Sequence, residues 1–382
     1  MRERAIAEFQ ERFERSPATL VRAPGRINLL GGHTDYNEGY VLPLAIDRAA
    51  WVAAAPIDAR RGRVVALDLG ERTEFSLEPV PPPQGDWGDY PRGVAWALGK
   101  AGYRLGGMEA ILTSDVPVGA GLSSSAAVEV AFAWTWRALS DLDLDRTEVA
   151  RLCQRAENEY VGLRCGIMDQ MAAVWGQAGH VLLLDCRTLE VKPIRLPPSV
   201  AVMVADTNVR RELAASEYNR RRQECEAAVQ ILAQHAPGIA ALRDLTPESF
   251  DRLAHHLPVL LQQRARHVVT ANARVLEAAA ALEEGDLAHV GDAMRRCHES
   301  LRDDYEVSSL ELDLLAETAW TVAGCYGARM MGGGFGGCVV ALADEAAVEE
   351  LARELEQTYA QRFGQEPTIT VTQAADGVAS IL

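Results

Sequence analysis

The sequence predicts an α+β protein of two domains, and three observations carry that prediction. Short strand patterns alternate with long helical ones without the regular βαβ rhythm of one wound sheet, and the helical share rises in the second half. The 382 residues can fill two cores, and Leu196-Pro197-Pro198 interrupts the chain before a fresh apolar run at Val200–Asp206, so the domains are expected at 1–198 and 199–382. A Gly/Ser-rich stretch at 117–126 joins a strand pattern to a helix pattern, and a second Gly-rich stretch at 332–337 leads into another strand pattern.

Taken in order, residues 1–15 read as an amphipathic helix and Thr19–Arg22 as a strand. Alternation at Val41–Ala45 and Ala50–Ala55 marks two further strands, and Val64–Leu67 pairs with Arg72–Leu77 around Gly70. A proline-rich loop at 79–83 precedes a helix at Tyr90–Gly102 and a strand at Met108–Ser114. Helices follow at 123–139 and 146–162, another begins at Asp169, and strands lie at Gly179–Asp185 and Leu189–Pro193. Past the boundary, helices at 216–235, 247–283, 286–299, 309–323 and 344–362 accompany strands at 200–206, 338–342 and 368–372.

The net charge of −16, spread along the chain, repels nucleic-acid phosphates and the negative cytoplasmic leaflet, so neither nucleic acid nor membrane is an expected partner. The start, Met1 to Phe9, is charged and lacks the apolar core of a secretory signal, and no apolar run approaches a membrane span. Seven scattered cysteines without a Cys-x-x-Cys pair point to a reducing, cytoplasmic setting and away from disulfide or zinc frameworks. His255 and His256 are adjacent on a helix pattern, which is expected to aim their rings apart.

The stretch Pro117-Val118-Gly119-Ala120-Gly121-Leu122-Ser123-Ser124-Ser125-Ala126 is suited to phosphate. Gly119 and Gly121 permit a tight turn, and the serines open a helix whose N-terminus offers free N–H groups and a positive dipole end. No lysine lies nearby, since the chain holds only Lys100 and Lys192, so this is no Walker A loop. Between Arg22 and Pro43 a Pro/Gly-punctuated segment collects Arg26, Asn28, His33, Asp35 and Asn37, a mixture of donors and acceptors suited to sugar hydroxyls. Arg26 suits either a phosphoryl oxygen or a catalytic carboxylate. Gly332-Gly333-Gly334-Phe335-Gly336-Gly337 satisfies Gly-x-Gly-x-x-Gly formally, but it precedes a strand rather than a helix. A close backbone approach to a ligand or to the other domain fits it better than dinucleotide binding. Glu157, late in a helix, together with one serine hydroxyl and phosphate oxygens, meets the demand of Mg²⁺. Asp169 is either the N-cap of its helix or a carboxylate beside a reacting hydroxyl.

The segments "PVGAGLSSSAA" and "GGGFGGC" resemble the GHMP small-molecule kinases. "APGRINLLGGHTDYNEGYVLP", "CGIMDQ", "NVRRELAASEYNRRRQECEAA", "RARHVV" and "SLRDDYEVSSLELD" resemble the galactokinase group within them. The likeness runs along nearly the whole chain. It implies an N-terminal domain like ribosomal-protein S5 domain 2, a ferredoxin-like C-terminal domain, and an active site between them. It further implies ATP and Mg²⁺ as cofactors, a small sugar as the other partner, and phosphorylation of D-galactose at its anomeric hydroxyl. A monomer is the favoured state. By position, Asp169 becomes the carboxylate at that hydroxyl and Arg26 the cation beside it. Ser125 and Glu157 become the metal pair, with the register within 123–125 open. His33, Asp35, Gly166 and Tyr218 become sugar contacts; Gly119, Gly121, Leu122, Ser123, Ser124 and Trp87 become nucleotide contacts.

Two departures stand out. Galactokinases usually carry Glu where this chain has Gly32, and Thr where it has Met331. In the family that Glu contacts the sugar near its C6 hydroxyl, and one such hydrogen bond is worth about 0.5–1.5 kcal/mol. The alternative substrates are therefore galacto-configured sugars altered at C6, L-arabinose or galacturonate. A non-catalytic sugar and nucleotide sensor is disfavoured, because Asp169, Glu157 and the serines are all retained.

Overall fold

The structure, a computed structural model, describes residues 1–210 and 214–382; Arg211-Glu212-Leu213 of the "NVRRELAASEYN" motif lie outside the described residues. The first sheet has six strands in the order Ala379–Ser380, Thr19–Asn28, Pro43–Ile57, Gly107–Ser114, Arg61–Ala66 and Glu71–Ser76. Only Arg61–Ala66 and Gly107–Ser114 pair in parallel. Period-2 alternation divides its central strands between two cores: Val21, Val52 and Leu112 face the main one, while Leu20, Ala53 and Ile111 meet Ala5 and Phe9 of the helix Arg2–Phe13. On the main face lie the helices Ser124–Leu139 and Met168–Trp175, with Asp89–Lys100 and Arg146–Arg155 stacked beside the first of them.

The second half is built on a four-stranded antiparallel sheet, Cys325–Met331, Cys338–Asp344, Val200–Asp206 and Thr368–Thr372. Helices Leu287–Asp303, Leu310–Thr321 and Val348–Phe363 pack on it, and Val259–Glu284 packs on the first of them. That same long helix touches a small sheet of Tyr40–Val41, His180–Asp185 and Val191–Arg195, and so ties the halves together. The chain ends on the first sheet, where Ala379 and Ser380 pair with Arg22 and Val21.

The expected α+β layering is present, with several local differences. The first strand runs on through Pro24 and Gly25 to Asn28, where the sequence suggested a loop after Arg22; a register shift between Pro24 and Arg26 absorbs the proline, which has no N–H to give. The patterns at 41–45 and 50–55 merge into one strand, Pro43–Ile57. The expected helix at 247–283 is three pieces, because Pro258 caps Val259–Glu284 and separates it from Pro247–Leu253 and the turn Ala254–His256. The helix of 146–162 widens into a π-turn over Ala156–Val161, a feature common at functional sites. His255 and His256 sit on the short turn with rings 3.9 Å apart, not aimed apart, and His235 stacks on His256 at 3.6 Å. The strands Cys325–Met331 and Ala379–Ser380 had no expectation attached to them.

Candidate active site

The Gly/Ser loop is held from both halves of the chain. Gly119 and Gly121 take left-handed φ of 71° and 75°, and so does Ser123 at 59°, an unusual conformation for a residue with a Cβ. The Arg26 N–H donates to the Leu122 carbonyl at 3.0 Å, and Arg26 Nη1 donates to the Gly121 carbonyl at 2.6 Å. From the other side, a Cβ on Gly332 would stand 3.2 Å from Gly121 Cα, and Cys338 Sγ donates to the Ala120 carbonyl at 2.8 Å. The 332–337 segment therefore lies backbone to backbone against this loop and feeds the strand Cys338–Asp344, as its sequence context indicated. Ser124 opens the helix Ser124–Leu139 and leaves its first N–H groups free for an anion.

Ser123 occupies the N-cap, but its hydroxyl does not cap the helix; it donates to Asp169 Oδ2. Asp169 in turn is not the N-cap of Met168–Trp175, a place held by Ile167. It lies in the first turn, where the carboxylate gains from the helix dipole. Arg26 grips it with two parallel bonds, Nε to Oδ1 at 2.7 Å and Nη2 to Oδ2 at 2.8 Å. The cation is nearly buried, at 6% exposure, while the carboxylate keeps 25%. A fork held at the loop backbone thus presents a partly open carboxylate to whatever lies over the loop.

Glu157 comes from the π-turn and is buried, with no cation of the described residues paired to it. Its Oε1 accepts from Ser125 Oγ at 3.1 Å, and its Oε2 accepts from Gln170 Nε2 at 2.8 Å and Cys165 Sγ at 3.2 Å. Burial, then the charge of Asp169, raises its pKa. Among the serines, Ser125 is the one joined to Glu157 and Ser123 the one joined to Asp169. Beneath them Glu129 is fully buried; burial and then Glu157 push its pKa well up, which favours its neutral form. Gln170 Nε2 also reaches Glu129 Oε2 at 3.3 Å, while Glu129 Oε1 has no partner among the described residues.

On the third side, Asp35 lies in the turn Asp35–Asn37 and is 8% exposed. Burial first, and the nearby Asp169 second, raise its pKa to about 6. A Cβ at Gly166 would fall 2.1 Å from Asp35 Oδ2, so only glycine fits there. His33, at φ 63°, hydrogen-bonds Tyr36 through Nδ1 at 2.8 Å, and Tyr36 continues to Tyr305 at 2.7 Å. Burial, then the charges of Arg221 and Arg329, lower the His33 pKa to about 3, so the ring is neutral. Tyr218, from the helix Ala214–His235 of the second half, stands 5.3 Å from the His33 ring and 3.3 Å from a Cβ position on Gly333.

Arg26, Asp169, Ser123, Ser125, Glu157, Asp35, Gly166, His33 and Tyr218 thus converge with Gly121 and Leu122. Trp87 does not join them through any described contact; it is half-buried against the main core, in the turn before Asp89–Lys100. Glu129 and Arg329 had no expectation attached. An acid inside the apolar run 126–133 was a signal for the first. For the second, an arginine in a strand, nothing local distinguishes it.

Three family models match the chain: galactokinase galactose-binding signature over 7–56, GHMP kinases N terminal domain over 89–177, and GHMP kinases C terminal over 278–361. A galactokinase of Roseiflexus sp. (strain RS-1) is 51% identical over 374 residues, 98% of this chain and 96% of that protein. One of Chloroflexus aggregans is 46% identical over 376 residues, with the same shares. The crystal structure of Lactococcus lactis galactokinase complexed with galactose has a TM-score of 0.94 at 35% identity, covering 98% of each chain. A mevalonate kinase at 16% identity, with a TM-score of 0.64 over 94% of this chain and 100% of that one, shares the fold alone.

Proposed function

This chain belongs to the galactokinases of the GHMP kinase family, and on that premise we propose that it transfers the γ-phosphoryl of ATP to the anomeric hydroxyl of D-galactose, giving α-D-galactose 1-phosphate. The observation that carries the assignment of roles is the Arg26–Asp169 fork: the same guanidinium that holds the carboxylate by two bonds also holds the Gly121 carbonyl of the phosphate loop. Sugar hydroxyl and phosphoryl group then meet where one rigid unit governs both. Phosphoryl transfer is mainly positioning and electrostatics. Asp169 accepts the hydroxyl's hydrogen bond and takes its proton as the new O–P bond forms, and Arg26 keeps the carboxylate in place. Asp35, with the neutral His33, the Gly166 backbone and Tyr218, receives the remaining sugar hydroxyls. The phosphates lie on the backbone of Gly119, Gly121, Leu122, Ser123 and Ser124 at the helix N-terminus, with Trp87 toward the base.

The donor set fits Mg²⁺. Glu157 is a buried carboxylate that no cation of the described residues pairs with, and the Ser125 hydroxyl is already against it at 3.1 Å. Among the described residues no group of three or more His, Cys, Asp or Glu could hold a metal by itself, and Mg²⁺ typically takes one or two protein oxygens with the rest from phosphate and water. Ser125 and Glu157 would hold it, and it would neutralise charge on the transferred phosphate. No helix among the described residues is long and apolar enough to cross a membrane, which agrees with a cytoplasmic setting. The test is ADP release over a panel of galactose, L-arabinose, galacturonate, glucose and N-acetylgalactosamine. Galactose is expected to give the highest kcat/KM, and a higher value for any other sugar overturns the substrate.

A further inference from the structure

A buried cation without an anion lies beside the sugar-side loop. Arg329, on the strand Cys325–Met331, has no exposed surface. Its Nη1 donates to the Asn28 carbonyl at 3.0 Å, while Nε and Nη2 have no partner among the described residues. Nε and Nη2 form one edge of the guanidinium, and Arg26 uses that same edge to grip both oxygens of Asp169. No acid of the described residues pairs with Arg329; burial lowers its pKa, the Cys297 thiol opposes that, and Arg26, itself paired with Asp169, adds to the lowering. A guanidinium keeps its proton even when buried, so this charge calls for a counter-ion.

Gly32 is the reason the chain supplies none. A Cβ there would lie 2.7 Å from Arg329 Nη2 and 3.6 Å from the two methyls of Leu301. Gly31, at φ 88°, needs to be glycine for its backbone; Gly32 is not among the left-handed residues, so its missing side chain serves the close approach of the Arg329 guanidinium instead of a turn. The next residue is His33, whose Nε2 is buried and unpartnered, as is Asn28 Oδ1. Arg329 Nη2 is thus the nearest atom to the place where a side chain at position 32 would begin.

We propose that Gly32 and Arg329 form a monoanion subsite next to the sugar site, in which a carboxylate-sized anion accepts from Arg329 Nε and Nη2. The anion has two sources: a carboxylate carried by the sugar, as in galacturonate, or a small free anion bound alongside a neutral sugar. The first rests on the kinase reading above; the second does not.

The test is thermal unfolding of wild type, Gly32→Glu and Gly32→Ala without nucleotide, titrated separately with sodium formate, sodium galacturonate and galactose. Wild type is expected to gain about 3 °C or more, saturably, with at least one of the two anions. Gly32→Glu, whose own carboxylate reaches the arginine, starts with a higher Tm and loses the saturable gain. Gly32→Ala, which pushes a methyl against the guanidinium without adding charge, loses the gain and starts no higher than wild type. A gain with formate alone assigns a free anion, and a gain with galacturonate alone assigns a sugar-borne carboxylate. A wild type that responds to neither, or only as Gly32→Glu does, overturns the subsite. Galactose-dependent ADP release is scored separately, so its absence would sink the kinase reading and leave the anion result standing.

Discussion

Asp169 and Glu157 are carboxylates of one site in opposite surroundings. Asp169 has a guanidinium on both oxygens and keeps part of its surface open. Glu157 is buried, and burial with the charge of Asp169 raises its pKa against the opposing pull of its neutral donors, the Cys165 thiol, the Ser125 hydroxyl and the Gln170 amide. The difference teaches where each counter-charge comes from. The fold supplies the cation for Asp169, so that carboxylate is set before any substrate arrives. Among the described residues it places none on Glu157, which costs stability in the empty protein and leaves a hard anionic oxygen for the proposed Mg²⁺ to neutralise.

The largest effect is expected from Asp169→Asn. Turnover of galactose should fall by about 10²–10⁴-fold, the usual share of a positioned acid or base. Tm should fall as well, because Arg26 loses its bidentate partner while remaining buried. Steady-state kinetics with a thermal melt checks both, and a kcat within about threefold of wild type would remove Asp169 from the chemistry.

Next comes Glu157→Gln. The Mg²⁺ concentration for half-maximal rate should rise by about tenfold or more, since an amide oxygen is a poorer ligand for a hard dication than a carboxylate. Stability should not fall in proportion, because no cation of the described residues loses a partner by the change. An unchanged Mg²⁺ titration would break the comparison by making Glu157 a packing residue.

Acid sensitivity sharpens the same contrast through Asp35, whose pKa burial and the neighbouring charge of Asp169 raise to about 6. As pH falls through 6 it takes up a proton and loses the full acceptor capacity that sugar hydroxyls need. kcat/KM for galactose should drop about tenfold between the plateau and pH 5, as one titrating group dictates. For stability the sign is opposite. With a folded pKa above the unfolded 3.8, Asp35 destabilises the protein above pH 6, and that penalty is relieved as pH falls from 6 toward 3.8. Asp35→Asn should lower activity and remove this limb of the pH profile.

What the sequence made legible follows the reach of each signal. Gly119 and Gly121 are demanded by the local backbone, so the phosphate loop could be read from ten residues. The same holds for the strand pattern after 332–337, which argued against a dinucleotide role where a helix would be needed. Contacts between distant segments were not legible. Pro24-Gly25 looks like a break but is a bulge inside a strand, and only the partner strand reveals it. Gly25 is glycine because a Cβ there would sit 2.7 Å from the Leu122 carbonyl, nearly a hundred residues on. Ser123 reads as a helix cap until Asp169 is placed against its hydroxyl. Arg329 reads as an ordinary polar residue until it is found fully buried beside Gly32.

The smallest effect on turnover is expected from Glu129→Gln, which tests whether the layer under Glu157 is neutral. Glu129 has no exposed surface, and burial with the adjacent Glu157 favours its protonated form. Glutamine has nearly the shape of that neutral acid, and its amide oxygen can keep accepting from Gln170 Nε2, which bridges to Glu157. Turnover and the Mg²⁺ titration should therefore stay within about twofold of wild type, the change expected when an uncharged acceptor replaces another. Stability carries the clearer sign. A carboxyl whose folded pKa lies above its unfolded value stabilises fully below the unfolded value and progressively less as pH rises toward the folded one. Glu129→Gln has no such proton to lose, so its Tm relative to wild type should improve steadily from pH 5 to pH 8. A Tm difference that is flat with pH, together with a large loss of Mg²⁺ affinity, would mean that Glu129 is ionised and itself part of the cation site.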